Sequence, residues 1–160
     1  VDINLRGLFN TIRGVVPVLL AQNASADIVI TASMAGMVTS ATSGAYAASK
    51  AGAIAFAKAL RAELAATAPF LRIALLNPGM VKTNLLRSSA AQQPEKGAMD
   101  PGLVEGSHEA LNQLGVTSDE VAAWVVEALE VGRFWVFPPA DDIFSSVLSQ
   151  EIGEIAEALT

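Results

Sequence analysis

The sequence has 160 residues, 52% of them hydrophobic and 16% charged, with a net charge of −6 and no cysteine. That length fits one domain, residues 1–160, with enough chain to bury a real core. The acidic balance argues against nucleic acid, which wants a basic patch. The lack of cysteine excludes disulfides, thiolate chemistry and Cys-type zinc sites. No apolar run is long enough for a membrane span, and no secretory signal pattern opens the chain, which suits the cytoplasm.

Taken in order, residues 2–22 read as a helix. Leu5, Leu8, Phe9, Ile12, Val15, Val16, Leu19 and Leu20 fall on one stripe at helical spacing, Asp2 is placed to cap the start, and Pro17 should bend the pattern locally. Asn4 lies off the stripe and by itself reads as a solvated first-turn residue. Asn23 to Asp27 is a polar loop. Ile28-Val29-Ile30-Thr31-Ala32 is a short apolar run that suits a strand buried on both faces of a parallel sheet. Ser33 stands at its carboxyl end, where open α/β sheets bind ligands, although a turn or cap serine fits the position equally well.

Residues 34–43 form a loop, and Ser43 or Thr42 caps a helix running from about Gly44 to Ala66. That helix is crowded with alanine, which signals either plain helix propensity or close packing on the sheet and a partner subunit. Leu71 to Leu76 is a second buried-strand pattern, so strand, helix and strand predict a parallel βαβ unit. Asn77-Pro78-Gly79 ends it abruptly, either as a simple turn or as a bend at a ligand crevice. Residues 84–116 are rich in proline and glycine and read as a long irregular segment. Within it Leu85, Leu86, Met99 and Leu103 line an apolar pocket or tack the segment down, and His108, the only histidine, reads as solvated. Thr117-Ser118-Asp119-Glu120 is a capping-box start, Gly132 a helix stop, Phe134–Phe137 a strand, and Asp141 or Asp142 the cap of a last helix reaching about Leu159.

The chemistry concentrates in Ser33, Tyr46 and Lys50. Tyr46 and Lys50 are four residues apart and share a helix face. A free tyrosine ionises near ~10 and is a poor base at neutral pH. A neighbouring ammonium favours the phenolate, and the pair then exchanges a proton with an alkoxide or alcohol. A serine hydroxyl at the same spot would hold the substrate oxygen.

Ser33 followed by Tyr46-x-x-x-Lys50 resembles the signature of the short-chain dehydrogenase/reductase family. Asn4-Leu5-Arg6-Gly7, Ile28 to Ser33, Asn77-Pro78-Gly79 and Val81-Lys82-Thr83 resemble further family stretches in order and spacing, so the likeness is close over about residues 1–87 and loose beyond. It implies an α/β fold with a Rossmann-like, doubly wound parallel sheet in a three-layer αβα arrangement, truncated at its N-terminus. It also implies an NAD(P)-dependent oxidoreductase that interconverts a carbonyl and an alcohol. The catalytic set carried over is Asn4, Ser33, Tyr46 and Lys50, with Asn4 holding a water that links Lys50 to solvent. The cofactor set is Tyr46, Lys50, Pro78, Gly79, Val81 and Thr83, for NAD or NADP, and residues 84–116 become the substrate loop. The resemblance also implies a homodimer or homotetramer.

Two departures qualify the match. No Gly-x-x-x-Gly-x-Gly phosphate turn occurs, and the chain opens on Val1-Asp2-Ile3-Asn4 already within a helical pattern, which points to a fragment of a longer protein. The last strand ends in Pro138-Pro139 rather than the family's Asp-Gly-Gly turn. The alternative reading is therefore a non-enzymatic Rossmann-like fragment or oligomerisation module with an open apolar sheet edge. A serine hydrolase is remote, for want of a Gly-x-Ser-x-Gly elbow.

Overall fold

The computed structural model describes residues 2–41, 43–92, 100–139 and 143–159. They fall into two compact units, one made of residues 1–79 with 124–160 and the other of residues 80–123.

The first unit is built on a three-stranded parallel sheet in the order β1-β2-β3, with β1 Ala26–Thr31, β2 Leu71–Leu76 and β3 Trp135–Val136. A wide π-helical turn, Asp2–Arg6, leads into α1 (Gly7–Gln22), and α2 (Gly44–Thr67) joins β1 to β2. These are the parallel βαβ unit and flanking helices expected from the sequence. α1 runs through Pro17 and ends on Asn23 in the left-handed conformation, a common helix stop. β1 starts two residues earlier than its apolar run, because Asp27 is satisfied across the ladder by Arg72, its register partner, at 2.8 and 2.9 Å. β3 is shorter than the aromatic run around it, and Pro138 and Pro139 that follow have no N–H to continue a ladder.

The core lies between one sheet face and the helices. Ile12 of α1 joins Ala53, Ile54, Ala57, Leu60 and Leu64 of α2, with Ile30, Leu71, Ile73 and Leu75 from the sheet and Phe134. The apolar stripe of α1 is wider than the surface it covers. Leu8, Val16 and Leu19 pack on the core, whereas Phe9, Val15 and Leu20 stay exposed, Phe9 meeting Phe56 edge-on at 4.7 Å. β1 is not buried on both faces as its composition suggests. Ile28 and Ile30 turn inward, and Asp27, Val29 and Thr31 are exposed. α6 (Ile143–Ala158) is also part of this unit, and its expected caps, Asp141 and Asp142, lie outside the described residues, as does Thr42.

The second unit corrects the reading of residues 84–116 as irregular. It holds α3 (Leu85–Ala91), α4 (Pro101–Leu114) and the start of α5 (Ser118–Glu130). Pro101 begins a helix instead of breaking one, with Asp100 as the cap accepting from Leu103 N–H at 2.9 Å. The capping box before α5 forms as expected. Thr117 N–H donates to Glu120 Oε2 at 2.7 Å, and Glu120 N–H donates to Thr117 Oγ1 at 3.2 Å. The Thr117 hydroxyl also donates to Glu120 Oε2 at 2.7 Å. The two bonds that the Glu120 carboxyl receives from Thr117, the amide's first and the hydroxyl's second, hold it below its ordinary range. Among the described residues no helix is long and apolar enough to cross a membrane, and no cluster of potential metal ligands occurs.

Candidate functional site

Ser33 sits just past the carboxyl end of β1. The ladder carries on for one residue beyond the strand, as Ala32 N–H donates to Leu76 C=O at 2.8 Å. Ser33 is extended and caps the short 3₁₀ turn Met34–Gly36, accepting from Ala35 N–H at 3.1 Å. Met34 N–H donates to Pro78 C=O at 3.0 Å, and the Ser33 hydroxyl makes a long contact of 3.5 Å to the same oxygen. The ends of β1 and β2 are thereby tied together at Pro78. The turn then seats on α2. A Cβ on Gly36 would lie 2.7 Å from the Lys50 carbonyl carbon and 2.8 Å from Ala51 N, so glycine alone permits the approach. The seat of the Ser33 turn is the backbone of Lys50 itself.

Tyr46 and Lys50 lie one turn apart at the start of α2, on the face expected from their spacing. Lys50 Nζ donates to Thr31 C=O at 3.2 Å and stands 5.8 Å from the centre of the Tyr46 ring. Burial lowers the Lys50 pKa from the ordinary lysine value, since desolvation disfavours its charged form. The Tyr46 side chain is partly open to solvent. Asn4, in the wide turn before α1, donates from Nδ2 to Ser49 Oγ at 3.1 Å, and Ser49 Oγ donates to Tyr46 C=O at 2.7 Å. Asn4 thus reaches the Tyr46–Lys50 stretch by way of Ser49. The sequence reading did not single out that residue. A serine inside an alanine-rich helix, where serine competes for backbone hydrogen bonds, was the available signal.

Pro78 and Gly79 follow Asn77, which is fully buried at the end of β2. Asn77 N–H donates to Val136 C=O at 2.8 Å and its Nδ2 to Leu75 C=O at 2.9 Å, while its Oδ1 is a buried acceptor without a partner among the described residues. The other two expected cofactor residues belong to the second unit. There Val81 bridges to Val116, through Val116 N–H on Met80 C=O and Lys82 N–H on Val116 C=O. Thr83 Oγ1 accepts from Leu85 N–H at 3.3 Å, at the start of α3. In the same unit His108 is buried on α4, not solvated, with Nε2 3.0 Å from Asn112 Nδ2, one turn further along. Leu85 and Leu103 are exposed, and Met99 lies outside the described residues.

The model of the short-chain dehydrogenase family matches residues 1–94, more than half of the chain. The chain belongs to the short-chain dehydrogenase family. Every site residue named above from Asn4 to Thr83 lies within the matched stretch. The chain is similar to an uncharacterized oxidoreductase of Listeria innocua, 30% identical over 130 residues, covering 81% of this chain and 48% of that protein. The 1-deoxy-11-beta-hydroxypentalenate dehydrogenase of Streptomyces avermitilis is 33% identical over 140 residues, covering 88% and 46%. The chain spans about half the length of the curated relatives it matches. Among solved structures, a short-chain dehydrogenase of Burkholderia phymatum in complex with NAD has the same fold, with a TM-score of 0.81 at 23% identity over 98% of this chain and 57% of that one. One of Burkholderia cenocepacia in complex with NADP has a TM-score of 0.67 at 23% identity over 99% and 54%.

Proposed function

We propose that this chain carries the proton-handling side of an NAD(P)-dependent oxidoreductase that interconverts a carbonyl and an alcohol. The observation that carries the reading is the convergence at Lys50. Its ammonium bonds the end of β1 and faces the Tyr46 ring, and its backbone is the seat of the Ser33 turn. An ammonium has three donors, and Thr31 C=O takes one, so two remain for the hydroxyls of a nicotinamide ribose. Tyr46 and Lys50 would hold that ribose, with Pro78 and Gly79 toward the nicotinamide end, and the family resemblance counts Val81 and Thr83 among the cofactor residues as well. The relatives solved with NAD and with NADP support a nicotinamide dinucleotide of either kind.

When bound, the dinucleotide supplies the hydride that adds to the carbonyl carbon, or accepts it in the reverse direction. Tyr46 gives its phenolic proton to the carbonyl oxygen as that oxygen gains charge, and takes a proton from the alcohol in reverse. Lys50 stabilises the phenolate so formed, and the half-buried setting of its ammonium strengthens that influence. Ser33 orients and polarises the substrate oxygen. Asn4 completes the path by which Lys50 exchanges protons with solvent. The exposed apolar residues of α1, Phe9, Val15 and Val18, support assembly as a homodimer or homotetramer.

Tyr46→Phe tests the assignment. Carbonyl turnover is expected to fall about 10²–10⁴-fold, the usual worth of a positioned acid. NADH and NADPH binding, followed by fluorescence titration, should persist. Turnover that survives the substitution would remove Tyr46 from the acid's role.

A further inference from the structure

Ser49 is buried to 1% exposure within α2, and its hydroxyl both donates and accepts. The one donor goes to Tyr46 C=O at 2.7 Å, and an acceptor site takes Asn4 Nδ2 at 3.1 Å. The second of these bonds joins residues 45 apart in the chain. It docks the wide π-helical turn Asp2–Arg6 on α2, beside Lys50. A second contact reinforces it. A Cβ on Gly52 would meet the Leu5 side chain at 3.0 Å, so the bare glycine leaves Leu5 its seat one residue after Asn4. π-helical turns are rare and frequently lie at functional sites. This one precedes α1 and carries Asn4.

Building on the oxidoreductase reading, we infer that Ser49 is a positioning residue for that site, fixing Asn4 against the Tyr46–Lys50 turn through its hydroxyl. It touches no substrate. It acts by holding Asn4 on one side and the Tyr46 carbonyl on the other. The simpler role for such a serine is back-bonding to its own helix, which the Tyr46 C=O bond alone would satisfy. The Asn4 bond is what that role leaves unexplained, and it is what the experiment isolates.

Tyr46 is the only tyrosine of the chain, so the ultraviolet absorbance of tyrosinate against pH reports this one side chain without a substrate. Asn4→Ala, Ser49→Ala and the double variant form a cycle. Each single substitution is expected to move the absorbance curve away from that of wild type, in the same direction and by a like amount. The double variant should move it no further than either alone, and Ser49→Thr, which keeps the hydroxyl, should restore the wild-type curve. If Ser49→Ala does not fold, Ser49→Cys keeps the volume while weakening both bonds and stands in for it. A curve unmoved by the Ser49 variants, or shifts that add in the double variant, would overturn the proposal and leave Ser49 a back-bonding helix residue. Failure of the oxidoreductase reading would appear elsewhere, as a wild-type protein that neither binds NADH or NADPH nor turns over carbonyls, with this cycle unaffected.

Discussion

β1 and β2 are neighbours in register, both six residues long and both largely apolar in composition, yet they are buried very differently. In a parallel pair, residues matched in register point to the same side of the sheet. On one side Ile28 and Ile73, then Ile30 and Leu75, run together into the core. On the other side the pairs part company. Val29 is 39% exposed beside Ala74 at 1%, and Thr31 is exposed beside Leu76 at 7%. The cover over that side stops between the two strands. Apolar composition qualified both strands for the interior, and only their place in the sheet order separated them.

Truncating each strand at its most informative position should reproduce the contrast as energy. Leu75→Ala, at a position with no exposure in the middle strand, is expected to cost about 2–5 kcal/mol of stability by lost transfer energy and a residual cavity. Val29→Ala should cost about 0.5 kcal/mol or less, as surface substitutions do. Chemical denaturation of the two variants measures both. Comparable losses would mean that Val29 is covered, and the contrast between the strands would collapse.

The same contrast explains what could be read in advance. Strands, the long helix and the capping box were legible because each rests on local sequence: an apolar run closed by Asn77-Pro78-Gly79, a stretch crowded with alanine, Thr117 three residues before Glu120. Tyr46 and Lys50 were legible for the same reason, since four residues make one helical turn. Ser33 was legible because a strand's carboxyl end is a place, not a contact. The outward face of β1 was not legible, because no residue of β1 records what lies above it. Nor was the link from Asn4 to Ser49, a bond between a solvated-looking turn and a helix interior far along the chain. α4 was missed for a different reason. Pro101 and Gly102 resemble punctuation, and only the pairing of Asp100 with Leu103 N–H shows that they open a helix. His108 followed that error, since a histidine in a loop faces water and one on the inner side of a helix does not.

An uncovered strand that pairs on one side only, among the described residues, offers both a ladder edge and an apolar face to other molecules. Val29→Lys places a charge on that face at little expense to the fold. The chain is expected to self-associate in concentrated solution, and the variant to do so less, as read by light scattering or sedimentation. Equal association of the two proteins would move the sticky surface elsewhere, the exposed apolar side of α1 being the next candidate.

The smallest effect probes a polar link on the outward face. Arg72 grips Asp27 with two nearly parallel hydrogen bonds across the β1–β2 ladder, both partners reaching solvent. Two-pronged geometry makes this pair stronger than an ordinary surface contact, and the neighbouring carboxylate raises the Arg72 pKa, by hydrogen bonding first and charge second. Solvent nevertheless screens it. Asp27→Asn should therefore lower the melting temperature only slightly at low ionic strength. The difference from wild type should shrink as salt is added and the screening length falls to about 10 Å near 0.1 M and about 3 Å near 1 M. A deficit that persists undiminished in high salt would mean the pair is shielded from water. The outward face of β1 would then be covered in solution, and the contrast with β2 would fail where it is most sharply drawn.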